Sequence, residues 1–265
     1  MPAGAVSAQR EWTEVDLHTL RLLWRLPLLL LHALIGIPLV LVTFLPGLRQ
    51  VPVGRMRLHQ WTHRAWSRGM LRVMGCRLKI TGVLPERAGL VVANHISWLD
   101  IVVLHAVWPI WLVAKAEIRH WPLVGVLAHL AGTLFIQRGS EASRRRIGRR
   151  MTALLKRGEF VGIFPEGGIH PDRGVKRFHA RLFAPALRAD VPAIPVSIRY
   201  DRAGDLHDTM VFGPGQSFFG NLFRSIRQAP FEARVVIGES VQGQIGQRSR
   251  LARACNEIVE ASYES

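Results

Sequence analysis

Cysteine is scarce in this chain: its 265 residues hold two, Cys76 and Cys255, far apart in sequence. That excludes a disulfide framework, offers no metal-ligand spacing, and fits a reducing compartment. Lysine is nearly as scarce, occurring only at positions 79, 115, 156 and 176. Acidic residues number 19 against 35 basic ones, so the formal net charge of +16 is carried almost wholly by arginine. Such an excess points to an anionic partner: nucleic acid, anionic lipid, or an acidic cofactor or carrier protein. Arginine suits bidentate phosphate contacts better than lysine does, although genome composition alone can also favour it. There is no Gly-x-Ser-x-Gly elbow, no P-loop and no metal-ligand cluster, so no covalent acyl-serine, nucleotide-hydrolysing or metal chemistry is signalled. No nucleic-acid recognition motif is present either, which leaves a non-catalytic membrane or nucleic-acid-binding protein as a distant alternative.

Charge is absent from one long stretch. Leu26 to Leu48 contains no Asp, Glu, Lys or Arg, and that length can cover a bilayer core. Arg21 and Arg25 precede it, and a longer basic flank from Arg49 to Arg72 follows. The positive-inside rule then places the main domain in the cytoplasm. Pro46-Gly47-Leu48-Arg49 is a poor signal-peptide cleavage site. Pro27 and Pro38 can kink the segment, so a full span, a re-entrant or inner-leaflet helix and a buried core helix all stand as alternatives. The organisation expected is a polar, loosely ordered tail at 1–20, a helical membrane-anchoring region at 21–75, and an α/β domain at 76–265. Within the anchor, residues 52–75 read as a second helix. Its Trp61 and Trp66 interleaved with arginine suit a membrane interface or packing on the domain equally.

From residue 76 onward, apolar runs alternate with helical patterns. Strand-like runs are Arg77 to Thr81, Leu90 to Ala93, Ile110 to Ala114, Thr133 to Ile136, Phe160 to Phe164, Ala193 to Arg199 and Arg234 to Ile237. This alternation predicts a largely parallel central sheet flanked by helices. The helix expected at 141–157 carries Arg144, Arg145, Arg146, Arg149 and Arg150. Such a face suits anionic headgroups, an acidic carrier protein or plain solvent.

The stretch richest in chemistry is Asn94-His95-Ile96-Ser97-Trp98-Leu99-Asp100. It joins a buried strand to an apolar helix, a place where α/β proteins put ligands and chemistry. Histidine accepts a proton near neutral pH, and a carboxylate can fix its tautomer and stabilise the imidazolium. Residues five apart on one helix are separated by roughly 140°, so His95 and Asp100 meet only if the helix begins between them. Ser97 is the expected N-cap, with Asp100 at the third helical position. Backbone N–H groups near Ser97 are then candidate oxyanion donors.

Three further motifs follow in order: Gly132-x2-Phe135-Ile136-x-Arg138, Phe164-Pro165-Glu166-Gly167, and Val191-Pro192-x2-Pro195-Val196. Together with Asn-His-x4-Asp, they resemble the glycerolipid acyltransferase family, in particular the bacterial 1-acyl-glycerol-3-phosphate (lysophosphatidate) acyltransferases, over about residues 76–200. The resemblance implies His95 as general base and Asp100 as its orienting partner. It assigns Asn94, Arg138, Glu166 and Gly167 to the acceptor's polar head. It implies acyl transfer from acyl-CoA or acyl carrier protein to a lysophospholipid hydroxyl, most directly lysophosphatidate, with no other cofactor and no metal. The implied location is the bacterial inner membrane, facing the cytoplasm. The family's third motif usually continues Glu-Gly-Thr-Arg or Glu-Gly-Thr-Thr, whereas this chain has Glu166-Gly167-Gly168-Ile169. A replacement cation would come from His170, Arg173, Lys176 or Arg177. A different acceptor, such as lyso-ornithine lipid, is the alternative.

Overall fold

The structure, a computed structural model, describes residues 4–121, 124–137, 139–169, 174–207, 210–211 and 216–265, with backbone alone for 4–16, 124, 127 and 130. Helix α1 (Gly4–Val42) passes through both Pro27 and Pro38. Its backbone shows no break at residue 20. Ala5, Ala8, Gln9, Arg10 and Glu11 are all good helix formers. The helix also ends before Leu48. The Thr43 hydroxyl turns back to Val40 O at 2.6 Å, and Pro46 cannot continue a helix.

A short hairpin, β1 (Pro52–Val53) and β2 (Met56–Arg57), leads into α2 (Leu58–Val73), so the second helix is shorter than 52–75. The two helices pack along each other. Thr43 Oγ1 meets Thr62 Oγ1 at 3.0 Å, and His32 Nε2 lies 2.9 Å from Trp66 O. Gly36 faces the Trp66 ring, where any Cβ would collide. Further back, buried Arg25 donates to Ile226 O at 3.0 Å and Gln228 O at 2.6 Å, and His18 Nδ1 lies 2.9 Å from Arg227 O. The segment Leu17–Val42 is long and apolar enough to cross a membrane. It is nevertheless docked on the domain from His18 to Thr43, and its outer leucines, among them Leu23, Leu30, Leu34 and Leu39, are exposed.

The sheet contains β3 (Cys76–Thr81), β4 (Leu90–Ala93), β5 (Ile110–Lys115), β6 (Leu134–Ile136), β7 (Phe160–Ile163), β8 (Ala193–Arg202), β9 (Asp205–Leu206) and β10 (Phe231–Ile237). Its order is β3-β10-β8-β4-β7-β5-β6, with β9 folded back on β8. Neighbours are parallel except that β10 and β9 run antiparallel to β8. The largely parallel α/β expectation therefore holds.

Helices cover both faces, so the central strands are apolar on both sides. Val91 and Ala93 of β4 pack with α2 and α3 (Leu99–Val107). Leu90 and Val92 point the other way, into a core shared with α5 (Glu141–Lys156), α6 (Ala184–Ala189) and α8 (Arg248–Glu264). The remaining helices are α4 (Val124–Leu130) and α7 (Phe218–Arg227). Arg64 and Arg68 of α2 turn inward to Ala106 O at 3.2 and 2.9 Å, a favourable place for cations at the C-terminal end of α3.

Candidate active site

Parallel pairing of β4 with β7 brings their C-terminal ends side by side. Asn94-His95 leaves one end and Phe164-Pro165-Glu166 leaves the other, so two distant motifs meet through sheet register alone. Helix α3 starts at Leu99, between His95 and Asp100. Nδ1 of His95 lies 2.8 Å from Oδ2 of Asp100. The acceptor is a carboxylate, so Nδ1 carries the hydrogen, and Nε2 is the nitrogen left to exchange a proton. The Asp100 side chain is fully buried, while that of His95 is 16% exposed.

The capping differs from expectation. Ser97 Oγ lies 3.3 Å from Leu99 N, a long contact. The stronger cap is the Asp100 carboxylate, whose Oδ2 accepts from Ile96 N at 2.8 Å and Ser97 N at 2.9 Å. A carboxylate in the first turn is also favoured by the helix dipole. These two amides are thereby committed to Asp100, and His95 N donates to Glu166 Oε1 at 2.9 Å. The expectation that amides near Ser97 serve an oxyanion is corrected for residues 95, 96 and 97, because all three face carboxylates.

Glu166 is buried and braces the loop. Its Oε1 holds His95 N, and its Oε2 accepts from Lys176 N at 3.3 Å. Burial pushes its carboxyl up to about 7, against the lowering effect of these two amides and with a further rise from nearby Asp100. Gly167 has φ of 85°, a conformation glycine adopts freely. The Phe164 ring stacks on His95 with centroids 4.0 Å apart and planes 16° from parallel, which fixes the imidazole plane.

Other expected residues fall differently. Asn94 is corrected as an acceptor-binding group. It is 1% exposed, its Nδ2 donates to Ile198 O at 2.8 Å, and its Oδ1 accepts from Ile198 N at 2.7 Å. Both ends of the amide are spent clamping β4 to β8. Lys176 is half-buried, and its carbonyl accepts from Asn256 on α8 at 3.1 Å. Arg177 is exposed on the same segment. Arg138, His170 and Arg173 lie outside the described residues.

Two residues were missed in the sequence. Tyr200, near the end of β8, donates to Asp100 Oδ1 at 2.8 Å. Its signal was a tyrosine, one of two in the chain, closing an apolar strand. Trp98 donates from Nε1 to Asn221 Oδ1 on α7 at 2.9 Å, and its ring meets Phe218 edge-on at 5.3 Å. No local sequence pattern links it to α7.

The acyltransferase family model matches residues 77–199. A lyso-ornithine lipid O-acyltransferase from Pseudomonas aeruginosa is 37% identical over 215 residues, 81% of each chain. A 1-acyl-sn-glycerol-3-phosphate acyltransferase from Neisseria meningitidis is 38% identical over 136 residues, 51% of this chain and 53% of its own. The crystal structure of the 1-acyl-sn-glycerophosphate acyltransferase from Thermotoga maritima superposes with a TM-score of 0.66 at 23% identity, covering 92% of this chain and 96% of that one. Among the described residues no group of His, Cys, Asp and Glu could hold a metal ion. The Thermotoga structure shares the fold, and the sequence matches show that the chain is an acyltransferase and belongs to the lysophospholipid acyltransferase family.

Proposed function

We propose that this enzyme moves a fatty acyl group from an acyl thioester to the hydroxyl of lyso-ornithine lipid at a membrane surface. The hydrogen-bonded pair of His95 and Asp100 at 2.8 Å supports the chemistry. Nε2 of His95 takes the acceptor's hydroxyl proton as the oxygen attacks the thioester carbonyl. The tetrahedral adduct collapses, the carbon–sulfur bond breaks, and the thiolate leaves and takes the proton back from the imidazolium. Asp100 stabilises the cationic imidazole in between. The donor is acyl-CoA or acyl carrier protein, and no acyl-enzyme is formed.

The Gly168-Ile169 pair favours lyso-ornithine lipid over lysophosphatidate. It stands where the family's phosphate-binding Thr and Arg usually occur, and an ornithine headgroup carries an amine and a carboxylate but no phosphate. The long match to the Pseudomonas relative agrees with this. Lysophosphatidate is the second reading, favoured by the Neisseria relative. Helix α1 rests along the domain with its leucines outward, so it lies in one leaflet. The arginine-rich flank supports a domain on the cytoplasmic side of the inner membrane. Purified full-length enzyme, assayed side by side with both acceptors and both donors, tests the reading. The expected result is transfer to lyso-ornithine lipid that vanishes in His95→Ala. A preference for lysophosphatidate would replace the acceptor, and full activity of His95→Ala would remove the mechanism.

A further inference from the structure

We infer that a second site, for the phosphate-bearing headgroup of an anionic lipid, lies at the end of the sheet opposite His95. A cleft of about 490 Å³ opens there, within the roughly 300–1,000 Å³ typical of small-ligand sites. Parallel strands fix its position. Ile110 and Phe160 pair at the N-terminal ends of β5 and β7, and Pro109, Ile110 and Glu159 line the cleft. His95 and Glu166 follow the other ends of β4 and β7. At about 3.3 Å per residue, the length of β7 puts roughly 16 Å between Glu159 and Phe164, so the cleft does not belong to the acyl-transfer site.

The charged lining is predominantly basic. Arg49, Arg57, Arg150 and Arg157 surround the cleft, with Glu159 the one acid among its described lining residues. These arginines come from three elements: the turn after α1, strand β2, and helix α5 with its C-terminal cap. They are therefore not the by-product of one basic stripe. All four are exposed arginines lining one cavity, and the planar forks of guanidinium groups match phosphate oxygens. His59 and His63 also line the cleft. Burial holds both below the ordinary histidine range, His63 at about 4, so at neutral pH the charge is the arginines' own.

The lipid source follows from α1. Phe44, two residues past the end of that helix, forms part of the wall. The cleft thus opens where the apolar outer face of α1 stops, at the depth where headgroups sit. A helix docked from His18 to Thr43 brings the same lipid surface to both ends of the domain.

Calorimetric titration of the full-length protein in neutral detergent tests this. The probes are dihexanoyl-phosphatidylglycerol below its micelle concentration and inorganic phosphate. Arg49→Gln/Arg157→Gln should weaken lipid binding on the order of tenfold per guanidinium lost. Arg57→Gln/Arg150→Gln provides the same test if the first pair fails to fold. Arg144→Gln/Arg146→Gln removes equal charge outside the cleft and should leave affinity unchanged. Equal loss in that control, or no loss in either cleft variant, overturns the site. Inorganic phosphate binding as tightly as the lipid overturns the lipid assignment. Because the measurement is of binding, it is independent of the acceptor used at His95.

Discussion

Tyr200 donates its phenolic hydrogen to Oδ1 of Asp100 at 2.8 Å, tying the far part of β8 to the first turn of α3. With His95, Ile96 and Ser97 on Oδ2, a single buried carboxylate accepts four hydrogen bonds. Asp100 is at once the helix cap, the partner of His95 and a bond between layers.

That multiplicity separates two substitutions. His95→Ala leaves Asp100 three of its donors, so the fold should persist while transfer falls on the order of a thousandfold or more. Asp100→Asn can turn its amide nitrogen toward Tyr200 and keep an oxygen for the backbone amides, but it loses the negative charge. Its transfer should fall by about 10²–10⁴, and its stability by about 1–3 kcal/mol as the tyrosine hydrogen loses its acceptor. Initial rates and thermal melts of both variants check this. An Asp100→Asn enzyme with wild-type rates would refute the role of the charge.

Tyr200→Phe isolates the outer end of the network. Burial holds the phenol well above its ordinary value, with Asp100 adding to the rise, so it stays a donor at working pH. Removing it concentrates charge on Asp100, which then favours the imidazolium more strongly. The acid limb of kcat/KM against pH should move to higher pH, with kcat changed less than about tenfold and stability reduced by about 1 kcal/mol. A lower melting temperature with an unmoved limb would show packing alone.

Glu166 has an opposite signature. Its folded-state carboxyl, pushed to about 7 mainly by burial, titrates above its unfolded value of 4.5. Between those values the unfolded chain releases the proton first. Glu166 therefore costs stability increasingly as pH rises through this window, by up to on the order of 3 kcal/mol. Glu166→Gln should gain stability relative to wild type between pH 4.5 and pH 7.5, as denaturant midpoints at the two pH values would register. A difference independent of pH would contradict the raised carboxyl.

The outer face of α1 can be altered without touching the domain. Leu30 and Leu34 are 62% and 73% exposed. Leu30→Glu/Leu34→Glu should abolish sedimentation with liposomes, because each charge opposes burial in lipid. Thermal melting in detergent should be nearly unchanged. Continued sedimentation would assign membrane contact to another surface.

Much of the site was legible because its signals are local. The separation of His95 and Asp100 required a helix start between them, and α3 begins at Leu99. The strand ends that carry His95 and Glu166 were visible as apolar runs. What escaped depends on pairing across the sheet. Asn94 reads as part of a reactive motif, yet its amide is absorbed by Ile198, 104 positions away. Tyr200 reaches Asp100 only because β8 lies beside β4. Helix α1 starts before its expected beginning and keeps both prolines in its interior, yet it stops at Val42, short of Leu48, because the Thr43 hydroxyl folds back on Val40 O and Pro46 cannot continue a helix.

The mooring of α1 at His18, Arg25, His32 and Thr43 also determines how the enzyme meets its acceptor. A domain laid against the lipid finds its substrate by lateral diffusion in a two-dimensional phase. Its rate should therefore follow the mole fraction of lyso-lipid in the bilayer: inert lipid slows it, added buffer does not.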